Sequence, residues 1–135
     1  MSRKQAREGA MKLLFQMEET NNYSNETFEI FLQNFYFDES ETEYIDKTIK
    51  EIIEKKDEID EHIEEQLKGW SISRLASVDL AVLRIAIYEI LYRNDIPIEV
   101  SINEAIETTK KYSLEDSYKF VNGVLGGFVR SRGED

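Results

Sequence analysis

The 135-residue chain contains no cysteine, one proline and one histidine. Without cysteine there is no disulfide, no thiolate metal site and no thiol nucleophile, and a lone histidine, His62, makes a zinc or di-iron cluster implausible. No apolar run approaches the ~20 residues of a membrane span. The opening "MSRKQAREGAMKLLFQ" lacks the continuous apolar segment of a signal peptide. No phosphate-binding glycine loop follows a strand. The expectation is a cytoplasmic protein with no membrane contact, no metal and no cofactor. Positive charge is scarce as well: 17 basic residues stand against 28 acidic ones, for a formal charge of −11. Such a balance argues at first against a nucleic-acid partner, because phosphates repel an anionic surface.

The average conceals a pattern. Residues 1–15 carry +3, residues 16–68 carry −12, residues 69–107 carry −3 and residues 108–135 carry +1. If the two non-acidic ends lie side by side, they can form one surface that accepts phosphate while the rest repels it. A chain of this length is expected to form one domain, 1–135, burying roughly two-thirds of its unfolded surface.

With so few helix breakers, apolar spacing reads as helical almost throughout. Ala6, Ala10, Leu13, Leu14 and Met17 share one face of a helix from about Arg3 to Glu19. Phe28, Phe31, Leu32 and Phe35 form a second stripe. Ser40-x-x-Glu43 has the form of a capping box for a third helix, whose buried face is Tyr44, Ile45, Thr48, Ile49, Ile52 and Ile53. Beyond Lys55-Lys56 the spacing continues through Ile59, Ile63 and Leu67 to Gly69, as one long helix or two abutting ones. Within residues 75–92 the apolar positions point all round the wheel, which predicts a central buried helix. "RNDIP" ends it, and Ser101-x-x-Glu104 reads as a second capping box for a helix running to about Tyr112. Ser113 or Asp116 can cap the last helix.

That last segment, "KFVNGVLGGFVR", is locally contradictory. Asn122-Gly123 between β-branched and aromatic residues is a strong hairpin signal. A lone hairpin in an otherwise helical chain would leave its edges unpaired, so a helix is expected. Ser117, Val121, Val124, Leu125 and Phe128 then form its core stripe. Beside them Asp116, Phe120, Gly123 and Gly127 fall in a second lane, with Lys119 and Arg130 along its outer edge. An aromatic ring among bare backbone and cations can stack an unpaired base, while Asp116 accepts hydrogen bonds from base amino groups. Alternatively Phe120 is core and the glycines seat a neighbouring helix. The first helix has a comparable lane of Lys4, Met11 and Phe15 with Arg7 alongside. Its cations Arg3, Lys4 and Arg7 can bind phosphate, or simply be solvated. His62 reads as a boundary residue, and Trp70 as interhelical packing or a partner contact. Glu104 and Glu107 lack the nucleophile or metal that would make them catalytic.

From Trp70 onward the sequence resembles the NusB family of transcription antitermination factors. The resemblance is carried by "VDLAVLRIAIYEI", "INEAIE" and above all "EDSYKFVNGVL", with "RKQAREGAMKLLFQ" similar to the family's basic first helix. It implies an all-α fold of about seven helices in two packed subdomains, about 1–69 and 70–135, and no catalytic residues. It also implies binding to the single-stranded boxA element of ribosomal RNA operon leader transcripts. The binding is shared with NusE, a small-subunit ribosomal protein, and the complex joins elongating RNA polymerase with other Nus factors. The implied RNA contacts are Arg3, Lys4, Arg7, Phe15, Asp116, Lys119 and Phe120, and the Asp79 end of the central helix resembles the NusE-facing surface. Two departures stand out: the arm has three cations where relatives are richer in arginine, and Gly126-Gly127 replace polar helix formers. Weak RNA binding strengthened by NusE is therefore expected. A protein-only adaptor, a detached relative of the domains that precede ribosomal-RNA methyltransferases, and a homodimer that buries the RNA lane are the competing expectations.

Overall fold

Apolar residues repeating every three or four positions drive seven α-helices together around one hydrophobic core in the computed structural model, which describes residues 3–133. The outermost positions of the expected 1–135 domain lie outside the described residues. Helix α1 spans Arg3–Thr20 and buries the expected stripe, ending where Asn21 turns into a left-handed conformation at φ 51°. Helix α2, Asn25–Asn34, is capped by Ser24, whose hydroxyl accepts from the Thr27 amide. It buries Phe28 and Phe31, whereas Phe35 lies past its end and is exposed.

Helix α3, Glu39–Glu54, begins two residues earlier than the Ser40-x-x-Glu43 pattern predicts. Asp38 and Glu41 form the capping box, with Glu41 N donating to Asp38 Oδ1 at 2.8 Å and Asp38 N to Glu41 Oε1 at 3.0 Å. Ser40 serves as an accessory, donating to Asp38. Lys55 breaks the ladder, so helix α4, Lys56–Glu65, abuts α3 instead of continuing it. Ile59, Ile63 and Leu67 are buried, and Gly69 at φ 99° turns the chain where a side chain would be strained.

After a 3₁₀ turn at Ile72–Arg74, helix α5 runs Ser77–Tyr92 with every residue from Asp79 to Ile90 buried. Helix α6, Ile98–Tyr112, and helix α7, Ser117–Ser131, pack over it, while α1, α3 and α4 take its other sides. The second capping box is not used. Pro97 opens α6 ahead of it, which draws Ser101 inside the helix, where its hydroxyl donates to Glu89 at 2.7 Å. Asn122-Gly123 sits within α7, so the helical reading of the contradictory segment holds.

Two carboxylate–arginine hubs cross the core. Arg84 of α5 donates twice to Asp60 of α4 at 2.9 Å each, and also to Glu18 and the Tyr23 hydroxyl. Arg7 of α1 donates to both oxygens of Glu89 of α5 at 2.9 and 3.2 Å.

Candidate nucleic-acid interface

The helical period places Lys4, Glu8, Lys12, Phe15 and Glu19 along the outer side of α1. Lys4, Lys12 and Phe15 are exposed there, the phenylalanine ring at 38%. Met11, assigned by spacing to the same lane, is core at 2% exposure. Arg7 departs from expectation in the same direction. Its guanidinium is turned inward onto Glu89 and its residue is 8% exposed, so it is not presented as a phosphate-binding cation. Burial opposes the Arg7 charge, but the Glu89 carboxylate outweighs that penalty and lifts its pKa above the ordinary arginine value. Arg3 lies over the Tyr44 ring, 4.8 Å from its centre.

The start of α7 supplies the second group. Lys119 and Phe120 are exposed, Phe120 at 38%, which removes the reading of Phe120 as core. Asp116 stands at the N-cap position with its carboxylate open to solvent and 3.6 Å from Lys119 Nζ. The glycines divide. Gly123 faces open space, whereas a Cβ at Gly127 would fall 2.2 Å from Gln66 Oε1, the far end of a flexible side chain just past α4.

The ends of the chain do not simply lie side by side. Helix α1 packs chiefly on α5 and α3, and α7 on α6 and α5, so the last turn of α6 joins the two groups. Glu8 of α1 accepts from Lys111 Nζ at 3.2 Å and from the Tyr112 hydroxyl at 3.0 Å. Lys12 and Lys111 lie 5.3 and 5.2 Å from the centre of the Tyr112 ring. Lys110 lies 4.8 Å from the ring of Tyr118, the residue before Lys119. Cations and rings therefore alternate from α1 across the end of α6 to α7, the combination that attracts a phosphate backbone and offers stacking faces to bases. Sequence reasoning missed Lys12, Lys110, Lys111, Tyr112 and Tyr118 as members of this face. The signal was the "KKY" run ending α6, where cations also suit the negative end of the helix dipole.

Asp79 is buried at 6%, and its Oδ1 accepts from Ser113 Oγ at 2.7 Å. It lines the floor of an open groove with Trp70, Arg74, Leu114, Asp116 and Phe120. Trp70 is not an interhelical packing residue: it is 59% exposed, with the Arg74 guanidinium 5.1 Å from its ring centre. His62 is half-buried, edge-on to Phe128. Among the described residues, no cluster of three or more His, Asp or Glu could hold a metal ion, and no helix is long and apolar enough to cross a membrane.

Comparison with known proteins bears on this geometry. The model of the NusB family matches residues 4–130. The transcription antitermination protein NusB of Acetivibrio thermocellus is 45% identical over 130 residues, covering 96% of this chain and 90% of its own length. Its counterpart from Clostridium acetobutylicum is 42% identical, with 99% of each chain covered. The solved structure of T. maritima NusB superposes with a TM-score of 0.87 at 40% identity, covering 96% of this chain and 92% of its own. A structure of antitermination factors NusB and NusE in complex with dsRNA superposes with a TM-score of 0.83 at 28% identity, covering 96% of each chain.

Proposed function

The chain belongs to the NusB family, and from that premise we propose that it is an RNA-binding adaptor of transcription antitermination. In this reading it binds the single-stranded boxA element of ribosomal RNA operon leaders together with a NusE protein, in the cytoplasm, and the assembly joins elongating RNA polymerase. Its part is binding, not catalysis. Arg3, Lys4 and Lys119 meet phosphates, Phe15 and Phe120 stack on unpaired bases, and Asp116 accepts from base amino groups. NusE docks at the groove floored by Asp79, next to Asp116 and Phe120, so that one occupant helps to seat the other.

The observation that carries this reading is the exposure of two phenylalanine rings among lysines, on a body of net charge −11. Exposed rings occur elsewhere on this chain, as at Phe35 and Tyr36, but these two stand beside lysines, and an anionic protein must confine phosphate binding to the place where its cations gather. The test is a titration with boxA RNA and a scrambled RNA, with and without NusE, at several salt concentrations. The expected result is preference for boxA, affinity that falls as salt rises, and tighter binding with NusE. Retention of neither RNA would contradict the RNA reading and leave a protein-only adaptor. Equal boxA affinity with and without NusE would contradict the shared site.

A further inference from the structure

Four hydrogen bonds converge on the Glu89 carboxylate from three other helices. Arg7 Nε and the Tyr44 hydroxyl donate to Oε2, while Arg7 Nη2 and Ser101 Oγ donate to Oε1, the last two at 3.2 and 2.7 Å. A carboxylate has about four acceptor positions, so this one is saturated. The side chains of Arg7 and Glu89 are 9% and 1% exposed. A phosphate could recruit Arg7 only by displacing Glu89, which would leave a buried carboxylate without its cation.

The turn that Arg7 fixes is the one that carries the exposed cations of the arm. Arg3 and Lys4 precede it by four and three residues, hence lie on the same side of α1. The first turn of α1 has no acidic residue. Two cations at the positive end of a helix dipole are unfavourable, so the turn needs tertiary anchors. Those anchors belong to the same network. Arg3 lies over the ring of Tyr44, whose hydroxyl is bound to Glu89, and Lys4 Nζ is 3.7 Å from Glu104 of α6.

We propose that Arg7 and Glu89 form a buried clamp that positions the basic arm for RNA, so that Arg7 supports RNA affinity without touching a phosphate. The clamp rests on the RNA-binding reading above. Arg7 is a positioning residue, and the phosphate contacts are left to Arg3 and Lys4.

The test measures boxA affinity against salt for the full chain and its variants, each confirmed folded by circular dichroism. For single-stranded RNA each phosphate contact contributes about 0.7 to the slope of log K against log salt. Arg7→Gln is expected to bind about tenfold more weakly with the wild-type slope, because a buried carboxylate loses its partner and the arm loosens. Arg7→Gln combined with Glu89→Gln is expected to recover most of that loss, although Arg7 is still absent. Lys4→Ala should flatten the slope by about 0.7. A flattened slope in Arg7→Gln, with no recovery in the double variant, would overturn the clamp and return Arg7 to the phosphate contacts. If Arg7→Gln does not fold, Arg7→Lys decides. Near wild-type affinity supports a charge contact and overturns the clamp, whereas weakened binding with an unchanged slope supports it, since lysine cannot span both oxygens. Absence of salt-dependent boxA binding by the wild-type chain would instead overturn the RNA reading on which the clamp depends.

Discussion

Arg7 and Arg84 are both buried, at 8% and 2% exposure, and both are held by carboxylates and a tyrosine-containing network. Their surroundings give the same chemistry two different consequences. Arg84 ties α5 to the acidic part of the chain through Asp60, Glu18 and Tyr23, and the one lysine at this network, Lys56, is spent on Asp60 at 3.6 Å and on the Tyr23 ring. Arg7 ties α5 to the turn that carries Arg3 and Lys4. A buried ion pair is thus a stability device in one region and, in the other, also the foundation of a surface. What distinguishes them is the neighbouring turn, not the pair.

The largest expected effect comes from breaking the first of these. Arg84→Met removes the guanidinium that Asp60 and Glu18 share, leaving Asp60 only Lys56 at 3.6 Å, and urea unfolding should show a loss of roughly 3 kcal/mol. RNA affinity and salt slope of the folded protein should stay at wild-type values, in contrast to Arg7→Gln.

Next is Phe120→Ala, which removes a stacking face and should cost about 1–3 kcal/mol of boxA binding. Its unfolding midpoint should move little, because the ring is 38% exposed. A variant that keeps full boxA discrimination would show that the exposed rings are not stacking faces.

A smaller effect is a pH dependence to which the Arg84 region contributes. Desolvation raises the pKa of Glu18, but hydrogen bonds from Tyr23 and Arg84 overcome it, and the net value lies below the ordinary 4.5. Because the folded value is depressed, the contribution is fully present above about pH 4.5 and is lost as pH falls through the lower folded value. Thermal melts from pH 7 to 3 should show this loss, and Glu18→Gln should make the acid limb shallower.

The smallest concerns glycines. Gly123 lies in a helix interior with nothing within 4 Å of a Cβ, so Gly123→Ala should raise stability by about 0.5–1 kcal/mol. Gly9→Ala should do the opposite, since its Cβ would sit 2.7 Å from the Phe37 ring and 2.9 Å from Ile45.

Helix content and the buried stripes were legible in the sequence because a 3.6-residue period over long segments is a strong signal. So was the centre of the fold, since α5 is apolar on all sides. Caps were not. Asp38-x-x-Glu41 and Ser40-x-x-Glu43 fit the same pattern, and only the path of the preceding loop selects between them. Ser101 was misread for a related reason: Pro97 starts the helix before it, and Glu89 offers its hydroxyl a better partner than a backbone amide. The exposure of Phe15, Lys119 and Phe120 was legible because they lie just off apolar stripes. Arg7 was misplaced because its partner is 82 residues away, a pairing that no local period encodes. The end of α6 was overlooked because its lysines acquire meaning only where Glu8, Lys12 and Tyr118 meet them.

The central claim is spatial: one face, running from the outer side of α1 across the end of α6 to the start of α7, receives RNA. Chemical-shift mapping of the folded protein titrated with boxA RNA tests it most directly. The account predicts perturbations concentrated at Arg3, Lys4, Lys12, Phe15, Lys110, Lys111, Asp116, Lys119 and Phe120, with α4 and the part of α3 beyond Tyr44 unchanged. Perturbations centred on α3 and α4, with Phe15 and Phe120 silent, would contradict it.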